Sequence, residues 1–175
     1  TGDFGTGHRM TMDLDTAKKA IDWVVAKSGS RRNIEVDFFG GEPLMAIDVV
    51  KGTVEYARSL EKKHDKVFRF TITTNGVLLD DETIDYINRE MSNVVLSLDG
   101  RQSVNDRMRP TVNGKGSYDV IVPKFQKLVA QRGTKDYYVR GTFTRDSLDF
   151  AQDILHMGDL GFRHVSVEPC SGPPE

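Results

Sequence analysis

The chain has 175 residues, with 24 basic residues against 26 acidic ones and one cysteine, Cys170. That length holds one domain with a real core or a piece of a larger one, and the near-balanced charge gives no reason to expect nucleic acid or an anionic membrane surface as the main partner. No apolar run is long enough to span a bilayer and the opening TGDFGTGHRM has no signal-peptide hydrophobic region, while the single thiol excludes an internal disulfide, fits a reducing, cytoplasmic setting and rules out a thiolate-held metal cluster built by this chain alone.

In 12–29, MDLDTAKKAIDWVVAKSG, the residues Ala17, Ala20, Ile21, Val24 and Val25 recur at helical spacing, with Asp13 or Asp15 to cap the start and Gly29 to stop it. A strand, IEVDFF, follows. It leads through Gly40-Gly41-Glu42 into a helix from about Pro43 to His64 that carries Leu44, Ile47, Val50, Val54, Ala57 and Leu60. A second strand, FRFTITT, ends at Asn75-Gly76, and Asp80 or Asp81 opens a helix through Ile84 and Ile87. The third strand, NVVLSLD, precedes a segment rich in Arg, Asn and Gly that reads as irregular. Then come the helix SYDVIVPKFQKLVAQRG with Pro123 inside it, the strand YYVRGTFT, the helix LDFAQDILHMGDLG and a fifth strand, HVSVEP. Strands alternating with helices imply right-handed crossovers and a parallel sheet, an α/β fold.

Each strand is apolar on one face and largely polar on the other. Ile34, Val36 and Phe38 alternate with Glu35, Asp37 and Phe39; Phe68, Phe70 and Ile72 with Arg69, Thr71 and Thr73; Leu96 and Leu98 with Ser97 and Asp99; Val139 and Phe143 with Arg140, Thr142 and Thr144; Val165 and Val167 with Ser166 and Glu168. A sheet with one side in water would show this. So would five parallel strands curved into a barrel or open barrel whose polar inside holds a large polar ligand, which is the reading favoured here.

In parallel α/β folds the C-terminal strand ends carry the site. Here they bring Gly40, Gly41 and Glu42, then Thr73, Thr74 and Asn75, Ser97 and Asp99, Thr142 and Thr144, and Glu168. Two glycines allow close approach of a ligand to the backbone, and a carboxylate beside them would accept a bond from an ammonium group.

VDFFGGEPLM, TITTNGVLL, VVLSLDG, NDRMRP and GKGSYD, in that order between Ile34 and Pro169, resemble the core of the radical S-adenosylmethionine enzymes. More narrowly they are similar to the peptide-modifying maturases with a cysteine-rich C-terminal (SPASM) extension, above all the thioether-forming maturases of peptides with six cysteines in forty-five residues. The resemblance implies a partial (β/α)6 barrel, of which this chain supplies strands two to six as an internal fragment, a single incomplete core domain over 1–175 without the first strand, the cluster loop or the extension. It implies that Gly40, Gly41 and Glu42 bind the amino group of S-adenosylmethionine and that Ser97 contacts the cofactor. It places Arg109 on the cofactor's carboxylate, with Asn105 where the family often has His. Thr73 and Asn75 would lie against the sugar or the substrate, and Arg140 and Glu168 would meet substrate or pair with each other.

The family's Cys-x3-Cys-x2-Cys segment, which holds a [4Fe–4S] cluster, does not occur; TGDFGTGHRM resembles the loop that follows it. The expectation is an intact parent that generates a 5′-deoxyadenosyl radical and forms thioether cross-links in a leader-bearing, Cys-rich precursor peptide, while this chain alone is inactive. A non-catalytic remnant that binds a nucleoside or peptide is the alternative. An aldolase-like barrel fragment is a third reading, disfavoured because no lysine sits at an inward strand position and Glu35 and Asp37 read as lumen residues rather than a hydrolytic pair. The substrate peptide and the oligomeric state are not legible.

Overall fold

A computed structural model describes residues 11–170 of the chain; the opening segment 1–10 and the last five residues, on which part of the sequence reading falls, lie outside them. Helix α1, Leu14–Lys27, starts where Asp13 accepts the Thr16 N–H at 2.7 Å, one of the orphan donors that a cap satisfies. It ends at Ser28, and Gly29 takes the left-handed conformation expected of it, at φ 54°. Strand β1, Asn33–Phe38, is followed by a single 3₁₀ turn, Pro43–Ala46, and only then by α2, Ile47–His64. The sequence pattern runs this turn and helix together; Pro43 fits the first turn of either.

Strand β2, Val67–Thr74, α3, Asp81–Glu90, and β3, Asn93–Ser97, come next, with Asp80 capping α3 through Thr83 N at 2.9 Å. The segment expected to be irregular contains a short helix, α4, Gln102–Met108. It escaped the periodicity because only Val104 and Asn105 are buried on it and Arg101 gives no side-chain cap. Helix α5, Tyr118–Gln131, retains Pro123 in its interior; then follow β4, Tyr138–Phe143, α6, Phe150–Asp159, and β5, Val165–Pro169.

All four strand pairings are parallel and the sheet order is β1-β2-β3-β4-β5, so each neighbour follows through a crossover that contains a helix. Ile34, Phe68, Phe70, Ile72, Val94, Leu96, Leu98 and Val139 form the apolar face. They pack under Val50, Val54 and Ala57 of α2, Ile84 and Ile87 of α3, Ile121, Phe125 and Leu128 of α5, and Met157 of α6. Each large side chain buried this way stabilises the fold by roughly 1.5–3 kcal/mol. Helix α1 packs on α2.

Among the described residues β1 and β5 do not pair, so the sheet is open. Its polar face meets water: Glu35, Asp37, Arg69, Arg140 and Glu168 are all exposed. The pairs Arg69–Glu35 at 3.9 Å and Arg69–Asp136 at 4.0 Å on this face are solvated and contribute little to stability. The five parallel strands are consistent with the open, partial barrel expected from the alternation, and the face that would line it is open among these residues. The alternation itself is identical in a barrel and in a sheet with one side in water, and only strand closure separates them.

Candidate functional site

At the end of β1 the backbone turns through Gly40 at φ 98° and Gly41 at φ 56°, angles that an L side chain resists. A Cβ built on either glycine meets nothing within 4 Å. Conformation, not crowding, therefore requires glycine here, and the space beside the loop is open. Glu42 spends its carboxylate on the protein. Oε1 accepts from Leu44 N at 3.1 Å and from Thr74 Oγ1 at 2.8 Å, and Oε2 accepts from Asn75 N at 2.7 Å. Glu42 thus caps the 3₁₀ turn and ties the glycine loop to the end of β2. A carboxylate offers about four acceptor positions, which leaves one on Oε2.

Beyond β2, Thr74 Oγ1 accepts the Gly76 N–H at 3.0 Å and Asn75 Oδ1 accepts the Val77 N–H at 3.0 Å, an Asx turn that fixes Asn75. Thr73 and Ser97 are half-buried on the polar face. Ser97 is in register with Arg140, and Arg140 with Ser166.

Asp99 is the most heavily bonded side chain of the region. Its Oδ2 accepts Arg109 Nε at 2.7 Å, and its Oδ1 accepts Arg109 Nη2 at 2.9 Å, Thr142 N at 2.8 Å and Thr142 Oγ1 at 3.0 Å. The Asp99 side chain is 1% exposed and that of Arg109 30%. Gly141 makes this approach of β4 possible, since a Cβ there would lie 2.7 Å from Leu98 O. The loop after β3 is pinned from the other side as well: Arg101 donates through Nε to the buried Asp153 at 2.8 Å and through Nη2 to Asp149 at 2.9 Å. These two carboxylates hold the guanidinium more firmly in its charged form.

The structure brings two of the sequence-designated residues into one cleft of about 200 Å3, lined by Asn75, Val77, Arg109, Pro110 and Ser117. Gly40, Gly41, Thr73 and Ser97 do not line it. Arg140 and Glu168 form an ion pair with each other on the open face. A larger cavity of about 630 Å3 lies in the helical layer between α2 and α3, on residues such as Lys51, Arg58 and Tyr86, and includes none of the strand-end residues; the smaller cleft is the one at the chemistry-bearing ends. Around those ends the loops expose apolar side chains: Phe39 (74%) and Met45 (78%) beside the glycines, Leu78 after β2, Val112 after α4 and Leu148 after β4.

The sequence reading put Asp99 at a strand end without assigning it a role, and passed over Ser117 and Thr142 as partners. The available signal was an acidic residue two positions beyond Ser97 on the polar face, ten residues before an arginine. The donors present do not fit an iron–sulfur cluster: among the described residues no group of three or more His, Cys, Asp or Glu side chains converges, and the one cysteine, Cys170, is exposed.

The family model described as the radical SAM superfamily matches residues 3–154. Among curated relatives, a cysteine-type anaerobic sulfatase-maturating enzyme of Clostridium novyi is 28% identical over 146 residues, 82% of this chain and 38% of that protein. The radical SAM cyclopropyl synthase TigE of Paramaledivibacter caminithermalis is 26% identical over 164 residues, 86% of this chain and 32% of its own length. The chain thus spans about a third of these relatives. Among solved structures, native anSMEcpe with bound AdoMet superposes with a TM-score of 0.85 at 16% identity, covering 98% of this chain and 46% of that one. The same protein with bound AdoMet and Cp18Cys peptide gives 0.82 at 16% identity, covering 94% and 45%. With a matching family model over most of its length and an all-parallel α/β sheet in sequential order, this chain belongs to the radical SAM superfamily.

Proposed function

We propose that the chain is the S-adenosylmethionine-binding core of a longer peptide-modifying enzyme. The observation that carries this reading is the cleft at the strand ends, where Asn75 and the part-exposed Arg109 converge. Two of the five N–H groups of Arg109 are spent on Asp99 and three remain for a ligand carboxylate. Glu42 keeps one acceptor position for an amine, and the backbone of Gly40 and Gly41 borders open space. These residues fit the amino-acid end of S-adenosylmethionine, with Thr73 and Ser97 on the face beside it.

In a parent protein that also held a [4Fe–4S] cluster to pass one electron to it, bound S-adenosylmethionine would be the source of a 5′-deoxyadenosyl radical for hydrogen abstraction from a peptide residue, with methionine released. What this chain's own residues do is bind and orient the cofactor. The chain is a single core domain over 1–175, and alone it is inactive, since its donor set does not fit the cluster. The substrate proposed is a leader-bearing, Cys-rich ribosomal peptide, and the product a thioether cross-link. The apolar side chains around the strand ends, Phe39, Met45, Leu78 and Leu148, support a peptide as substrate, and so do the AdoMet- and peptide-bound neighbours; Arg140 and Glu168 lie on the same face.

A second reading is a non-catalytic remnant that binds a nucleoside or peptide. Isothermal titration of the chain with S-adenosylmethionine tests the first. Saturable binding weakened at least tenfold by Arg109→Gln, on the order of one lost charge-assisted contact, is the expected result. Binding of a nucleoside or peptide with no response to S-adenosylmethionine would leave the remnant reading in its place.

A further inference from the structure

Behind the cleft, four residues close a hydrogen-bonded ring. The Asp99 N–H donates to Asn105 Oδ1 at 3.3 Å, Asn105 Nδ2 donates to Ser117 Oγ at 3.1 Å, and the Ser117 hydroxyl donates to the Arg109 carbonyl at 2.7 Å. Arg109 returns to the Asp99 carboxylate through both Nε and Nη2. Asp99, Asn105 and Ser117 are all buried, Asn105 completely. The ring joins three segments that the sequence keeps apart: the end of β3, helix α4 and the start of α5. It also accounts for an asparagine at position 105. The site needs one acceptor for Asp99 N–H and one donor for Ser117, and a neutral imidazole offers the same pair.

We infer that Asp99 is a positioning residue, which fixes the plane of the Arg109 guanidinium so that its unspent N–H groups face the cleft lined by Asn75, Pro110 and Ser117. Arginine is rich in rotamers, and a free one loses that freedom when it clamps a ligand. Here the loss is taken at folding. The bidentate contact sets the plane, and Thr142 N and Oγ1 in turn hold the Asp99 oxygen from β4. Asp99 touches no ligand itself, being closed off behind Arg109 with a side chain 1% exposed. The inference rests on the proposed binding of S-adenosylmethionine, whose carboxylate Arg109 would hold.

The test compares two probes that share a nucleoside, S-adenosylmethionine and 5′-deoxyadenosine, which lacks the carboxylate. Titration calorimetry on the unaltered chain and on Asp99→Asn is expected to show S-adenosylmethionine affinity falling on the order of tenfold while 5′-deoxyadenosine affinity is unchanged. In the Arg109→Gln background, Asp99→Asn should add nothing further. A merely structural role would weaken both probes equally, and that result, or no change in either, overturns the inference and leaves the binding proposal intact. If the unaltered chain binds neither probe, both fall together. Should Asp99→Asn fail to fold, Thr142→Val removes the hydroxyl that holds Asp99 Oδ1 from β4 and leaves the cleft lining untouched. It is expected to lower S-adenosylmethionine affinity severalfold and leave 5′-deoxyadenosine binding as it was, and an equal loss for both would again overturn the inference.

Discussion

Glu42 shows how one side chain decides the shape of a loop. Its two oxygens accept three hydrogen bonds from two segments, the turn after β1 and the end of β2, with donors at 2.7 to 3.1 Å. Glu42→Gln keeps the shape and removes one acceptor oxygen. The amide NH2 must then face either Asn75 N–H or the Leu44 N–H and Thr74 hydroxyl, and Thr74 Oγ1 is already accepting from Gly76 N. A donor set against a donor in a half-buried place costs about 1–3 kcal/mol. Chemical denaturation should show that loss as a lower urea midpoint with an unchanged slope. A change below about 0.5 kcal/mol, the ordinary surface range, would mean that the loop does not depend on this carboxylate. At this scale the sequence was legible in part. The glycine pair and its positive φ angles follow from residue type, and the carboxylate beside them stood out as an acceptor. Its partners were not legible, because Thr74 and Asn75 are more than thirty residues away and nothing local marks a contact made through parallel strand pairing. Asp99 was hidden for the same reason: its four bonds run to Arg109 and Thr142, residues that only the fold brings near.

Among the elements, those with a strong period were readable, and those held by polar tertiary contacts were not. Helices α2 and α5 carry continuous apolar stripes, whereas α4 is seven residues long and stays in place through Asn105, which no hydrophobic pattern reports. Helix α3 presents the opposite problem, an apolar stripe that includes a polar atom with no partner. Tyr86 is 8% exposed, and its hydroxyl is buried without a hydrogen bond; the Lys51 ammonium and the Arg89 guanidinium lie near its ring, both at 5.5 Å. Burial pushes the phenol up to about 12, with Glu90 adding to the shift. The unfolded chain loses this proton near the ordinary value of 10.0 and the folded chain holds it longer. Between those two values the unfolded state therefore binds fewer protons, and stability falls as pH rises through that window. Tyr86→Phe removes both effects. It should leave stability at neutral pH unchanged or raise it by about 1 kcal/mol, since an unsatisfied hydroxyl is deleted with little change of shape. It should also flatten the decline of melting temperature between pH 10 and 12 relative to the unaltered chain. Equal alkaline slopes for the two proteins would show that the Tyr86 hydroxyl is solvated in solution.

At the scale of the whole molecule, the described sheet has two open strand edges. One face of the sheet is covered by helices and the other is polar and wet. Among the described residues neither β1 nor β5 has a second strand beside it. An unpaired edge is a template for another chain, and proteins blunt such edges with charge. Strand β1 places Glu35 and Asp37 at alternate positions, both exposed, with Glu35 held only loosely by Arg69 at 3.9 Å. Two copies meeting edge to edge along β1 would bring these carboxylates together in one ladder, and like charges across a strand pair are destabilising. Replacing both, as Glu35→Thr with Asp37→Thr, keeps residues that suit a strand and removes the repulsion without touching the apolar face that holds Ile34 and Val36. Sedimentation velocity over a concentration series should show the double variant associating at concentrations where the unaltered chain does not. If the variant and the unaltered chain sediment identically at every concentration, the charges on β1 do not guard this edge. The acidic residues would then belong only to the polar face, where they would act, if at all, on a ligand lying across the strands.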